Sequence, residues 1–133
     1  MEAGYVNEDR LEALRKLPND RFDLSKLVRL CEELNSSYAS GNYFATGMLV
    51  RAIIDHVPPI FGFDRFRQVV ANYSGTRSFG EAMRGLDLLF RKMADQYLHE
   101  VVRSREELPN NTQVDFRQAL DLLLGEVVRL LRS

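Results

Sequence analysis

Between Tyr43 and His56 the chain reads Tyr-Phe-Ala-Thr-Gly-Met-Leu-Val-Arg-Ala-Ile-Ile-Asp-His, with apolar residues at helical spacing. Phe44, Met48, Leu49, Ala52 and Ile53 form one stripe, which Ala45, Val50 and Ile54 widen around most of the circumference. A helix that is apolar nearly all round is covered by its neighbours, so this segment is predicted as the central helix. It should stop at or near His56, because Val57 precedes Pro58 and the residue before a proline is pushed out of the helical region.

The same reading yields the other elements. Asn7 can cap a helix to about Leu17 that carries Leu11, Leu14 and Leu17, an N-terminal appendage over 1–20 beside a core bundle over 22–131. Asp23 can cap a second helix to about Asn35 with Leu24, Leu27, Val28, Cys31 and Leu34 as its buried stripe, and Ser36 to Asn42 reads as a loop. After Pro58-Pro59, the large apolar residues Ile60, Phe61 and Phe63 should fold back onto the core as a packed plug. Asp64 starts a short helix to about Tyr73. Ser78-Phe79-Gly80-Glu81 has the form of a capping box, and the helix it opens keeps its period through Phe79, Met83, Leu86, Leu89, Phe90, Met93, Tyr97, Val101 and Val102 to about Arg103. The last helix runs from Val114 or Asp115 to Leu131.

No stretch alternates long enough to make a strand, and no internal repeat is present. The prediction is an all-α, single-domain bundle of five or six mostly antiparallel helices. The apolar faces of the central and final helices exceed what one neighbour can cover, so either the bundle wraps both or part of that surface is a dimer interface.

Composition narrows the function classes. The 133 residues suffice for one core without disulfides. The net charge of −1 comes from 18 basic and 19 acidic residues that are interspersed, which gives no polybasic arm for DNA or an anionic membrane. Only three of the basic residues, Lys16, Lys26 and Lys92, are lysine, an arginine excess that fits either phosphate recognition or a genomic base-composition bias. Cys31 is the only cysteine, which excludes an intrachain disulfide and fits a reducing, cytoplasmic setting. No signal peptide or apolar run of membrane-spanning length is evident.

Two constellations carry candidate chemistry. Arg51 and His56 stand in an Arg-x4-His pattern, in which arginine can stabilise phosphate charge and histidine can move a proton. Chance alone supplies roughly 0.7 such patterns in a chain this rich in arginine. Five helical residues also set the two side chains about 140° apart. The alternative is structural: Arg51 pairs with Asp55 at i,i+4, and His56 closes the helix with its charged form favoured by the helix dipole. The second constellation is Arg91, Asp95, His99 and Arg103, spaced by four, in which Asp95 can orient the His99 imidazole. A site that joins both sets across two packed helices is a further alternative. Two histidines and scattered carboxylates form no metal-ligand pattern, and no Gly-rich phosphate loop or cofactor motif occurs.

Four segments carry a resemblance. They are Leu30-Cys31-Glu32-Glu33-Leu34-Asn35, the run from Met48 to Gly62, the run from Arg91 to His99, and Leu108-Pro109-Asn110-Asn111-Thr112-Gln113-Val114. Together they resemble a helical module of bacterial proteins of the antiphage-defence type and are similar to HEPN and abortive-infection C-terminal domains. The resemblance implies an RNA-cleaving pair at Arg51 and His56; Asp55, Arg91, Asp95 and His99 stand beside it as candidate supporting or ligand-binding residues. The chain departs from such enzymes at Ala52, where they carry a polar residue, and at the prolines that follow. The reading it favours is therefore a non-catalytic dimerising or ligand-sensing domain, a homodimer or the partner of a fused effector, with RNA or a nucleotide as the candidate ligand. The alternative is a metal-independent HEPN-like ribonuclease.

Overall fold

The computed structural model describes residues 4–132. Among them are six α-helices and no strand. Helix α1, Glu8–Lys16, is capped by Asn7, whose side chain accepts from the Arg10 amide. Its segment is part of the core and not an appendage: Tyr5, Val6, Leu11 and Leu14 are all buried, and Arg10 forms an ion pair with Asp121 of the last helix.

Helix α2, Ser25–Ala39, opens where Asp23 Oδ1 accepts from the Ser25 amide. Leu27, Cys31 and Leu34 are fully buried along it, and burial pushes the Cys31 thiol up to about 12. The helix passes the predicted end at Asn35 and takes in Ser36 and Ser37. It stops only where Gly41 adopts φ 74°, a conformation glycine enters without a Cβ penalty.

Helix α3, Tyr43–His56, has the predicted bounds but not the predicted buried face. Thr46, Gly47, Val50, Ile53 and Ile54 are buried, whereas Phe44 is 39% and Met48 57% exposed. The buried side is the one that permits close approach: a Cβ on Gly47 would lie 2.9 Å from Met93 Cε. A ranking of faces by hydrophobicity misses a face selected for its small residues.

The plug is a 3-10 turn, Pro58–Phe61, closed by Gly62 at φ 87°. Phe61 packs edge-on against Tyr73, with centroids 5.0 Å apart, and stacks on Phe79. Helix α4, Phe66–Asn72, starts two residues later than predicted, and Gln68 Oε1 accepts from the Asp64 and Arg65 amides ahead of it.

Helix α5, Arg77–Met93, is capped by Thr76, whose hydroxyl accepts from the Phe79 amide, so Ser78 is not the cap. Glu81 pairs with Arg77 instead of reaching back to the helix start. The helix does not continue to Arg103. It widens into a π turn, Ala94–Leu98, closed by a bond from the His99 amide to the Ala94 carbonyl. Residues 99–110 beyond it hold no helix, and Val101 and Val102 are 84% and 89% exposed. Helical spacing there had no apolar surface to pack against, and packing supplies most of a helix's stability in a protein.

Helix α6, Arg117–Arg132, buries Leu120, Leu123, Leu124, Val127, Val128 and Leu131. Val114 and Phe116 are buried just before it and are held by Tyr5. The Tyr5 hydroxyl donates to the Val114 carbonyl at 2.6 Å and accepts from the Phe116 amide at 2.7 Å. Among the described residues, no helix is long and apolar enough to cross a membrane.

Candidate functional site

An open cleft of about 690 Å³ is lined by the last turns of α3, the start of α4 and the end of α5 with its π turn. The near-buried apolar residues Ile54, Phe66, Phe90 and Ala94 contribute to its lining. The polar lining brings together Arg51, Asp55, Arg91, Asp95 and His99, five of the seven residues in the two sequence constellations. The other two, His56 and Arg103, do not line it.

The two sequence constellations meet at one contact. Arg51 Nη1 lies 3.3 Å from His99 Nε2, across 48 residues of chain. The π turn makes this geometry: it inserts a wider turn after Met93, so His99 leaves the predicted i,i+4 stripe. Asp95 forms no hydrogen bond with His99 among the described residues and therefore does not orient the ring. The rest of the stripe is dispersed as well. Arg91 pairs back with Asp87, and Arg103 pairs with Glu100 and Glu106 outside the cleft.

Arg51 also pairs with Asp55, Nε to Oδ2 at 3.5 Å, in the i,i+4 arrangement predicted. Both side chains are about half exposed, so the pair contributes at most about 1 kcal/mol. His56 is partly buried at the end of α3 and makes no hydrogen bond among the described residues. Burial, followed by the Lys26 charge, lowers its pKa, the opposite direction to the dipole-favoured imidazolium expected from the helix end. Arg51 and His56 thus serve different surroundings, as the 140° between them on one helix requires.

Four polar lining residues were not singled out as site candidates from the sequence: Asp64, Arg65, Arg67 and Asp87. Asp87 had a readable signal, since it stands four residues before Arg91 on the same helix. Arg65 and Arg67 flank Phe66, whose burial turns its neighbours outward, but that pattern does not say what they face. The lining holds four arginines and four aspartates. Asp55 and Asp87 are engaged by Arg51 and Arg91, whereas Arg65, Arg67, Asp64 and Asp95 carry no ion pair among the described residues.

Chemically, this lining can bind and orient. Guanidinium groups offer planar donor pairs to an anion, and carboxylates accept from hydroxyl or amino donors. No serine, threonine or cysteine is in the lining to act as a nucleophile. No group of three or more His, Cys, Asp or Glu side chains able to hold a metal ion occurs among the described residues. No family model, curated protein or solved structure matches the chain.

Proposed function

We infer that this chain is a non-catalytic helical recognition domain, which senses a ligand through the cleft between α3 and α5 and associates with a second copy or an effector domain. Its setting, on this reading, is a cytoplasmic bacterial protein of the defence type. The observation that carries the reading is the partition of the candidate catalytic pair. Arg51 belongs to the cleft with His99, and His56 stands outside it, half-buried and near the Lys26 charge. General acid–base work by the Arg51–His56 pair requires His56 within hydrogen-bond reach of the group Arg51 holds, and the histidine that does meet Arg51, His99, is itself engaged by the guanidinium. Phe44 and Met48 on α3, and Leu88 and Leu89 on α5, support the association half of the reading as exposed apolar side chains on regular helices.

The test is an RNA-cleavage assay on wild type, Arg51→Ala and His56→Ala, together with light scattering at tens of micromolar. The expected result is no cleavage above the buffer rate in any sample, with a dimeric mass. Cleavage by wild type that disappears in His56→Ala would establish the ribonuclease alternative. A monomer would remove the self-association half.

A further inference from the structure

We propose that the α3–α5 cleft is a seat for a nucleoside monophosphate, with its phosphate held by Arg51, Arg65 and Arg67 and its hydroxyl or amino donors received by Asp64 and Asp95. This rests on the reading of the cleft as the recognition site and adds the chemical class of its ligand.

Size is the first argument: about 690 Å³ is a small-molecule volume. The second is the state of the arginines. Arg65 and Arg67 have no carboxylate partner among the described residues, and Arg51, which holds Asp55 through Nε, turns Nη1 to the His99 ring and not to a second carboxylate. A phosphate offers each a charge-assisted, two-pronged bond that is stronger than a neutral contact. Binding therefore exchanges Arg51's partner from His99 to the phosphate and releases the His99 ring at the start of the exposed 99–108 segment.

The third argument separates a nucleotide from RNA. Four aspartates share the lining with the four arginines, and the whole chain carries a net charge of −1. A polyphosphate backbone crossing this cleft would meet as many carboxylates as guanidinium groups, and strong nucleic-acid binding depends on net cationic neutralisation of several phosphates. A ligand with one phosphate and a donor-rich remainder uses both signs. Asp64 and Asp95 then act as acceptors for ribose hydroxyls or base amino groups.

Isothermal titration of the full chain with AMP, GMP, adenosine, inorganic phosphate and a ten-nucleotide single-stranded RNA tests this. The expected result is binding of AMP or GMP, weaker binding of phosphate, no binding of adenosine, and a loss of about tenfold or more in affinity in an Arg65→Ala/Arg67→Ala double variant. Arg84→Ala, on α5 outside the lining, should bind as wild type does. In wild type, the His99 ring ¹⁵N shifts should change on adding AMP, a readout that needs no variant. Adenosine binding as tightly as AMP, affinity unchanged in the double variant, binding of RNA alone, or no binding of any probe up to about 10 mM would each overturn the proposal. If the nucleotides fail while light scattering finds a dimer and no RNA is cleaved, the ligand class falls and the recognition reading stands.

Discussion

Arg51 and His99 meet at 3.3 Å although 48 residues separate them, and the contact fixes the chemistry of the ring. A guanidinium can only donate, so His99 Nε2 must accept, and the neutral ring must carry its hydrogen on Nδ1. The bond also ties α3 to the π turn that ends α5, so one polar contact joins the two helices at the cleft. Long-range ¹H–¹⁵N spectra above pH 7.5 should therefore report the Nδ1–H tautomer in wild type and a solvent-set mixture in Arg51→Ala. The exposed contact adds little to stability, within about 1 kcal/mol. Equal spectra for the two proteins would rule out the contact in solution.

Tyr5 has a larger structural role than its place near the chain start implies. Its buried hydroxyl gives a hydrogen bond to the Val114 carbonyl and takes one from the Phe116 amide, and burial holds the phenol well above its ordinary pKa. Tyr5→Phe keeps the ring but leaves a buried donor and acceptor without partners, at a cost of about 2–3 kcal/mol. Urea unfolding should show the loss, and the Phe116 amide should exchange faster. A loss under about 0.5 kcal/mol would mean that water replaces the hydroxyl.

What was readable along the chain follows from where local periodicity and tertiary packing agree. For α3 the stop at Val57–Pro58 is a property of two adjacent residues, and the predicted end matches. For α2 the serines at 36 and 37 read as loop, yet the helix continues because only Gly41, with positive φ, ends it. The Ser78–Glu81 pattern lost to Thr76, two residues earlier, which supplies the same kind of cap. The predicted helix to Arg103 shows the limit most clearly. Val101 and Val102 keep the period, but nothing covers them, and the chain turns at Ala94–Leu98. That turn brings His99 to Arg51, so this cleft contact was invisible to spacing for the same reason that the helix end was. Tyr5 gave no signal at all, since its partners lie more than a hundred residues away.

Gly47 is where α3 receives the end of α5. An added Cβ would stand 2.9 Å from Met93 Cε and 3.3 Å from Sδ, and Met93 is the flexible end that can give. Gly47→Ala gains about 1 kcal/mol in helix propensity, which offsets much of the crowding, so its net change should stay within about 1 kcal/mol. Gly47→Val cannot be absorbed in this way and should cost about 2 kcal/mol or more. In a Met93→Ala background the valine penalty should shrink, because the contact that opposes it has been removed. Urea melts of wild type, the two Gly47 variants, Met93→Ala and Gly47→Val/Met93→Ala decide this. An unchanged valine penalty in that background would place the strain elsewhere.

His56 gives stability a pH dependence whose sign follows from its surroundings. Burial and, secondarily, the Lys26 charge lower its folded pKa from the ordinary 6.5. Well above 6.5 the ring is neutral whether the chain is folded or unfolded, and it adds no slope. As pH falls through 6.5 the unfolded chain binds the proton first, and mass action then favours unfolding until pH drops below the folded value, where both states carry it. Stability should therefore decline between about pH 7 and 5 more steeply in wild type than in His56→Gln, with Lys26→Gln between them. Thermal melts across that range are the measurement. Parallel curves for wild type and His56→Gln would mean that the imidazole is solvated, and a shallower wild-type decline would mean that the helix dipole outweighs burial and Lys26 at this helix end.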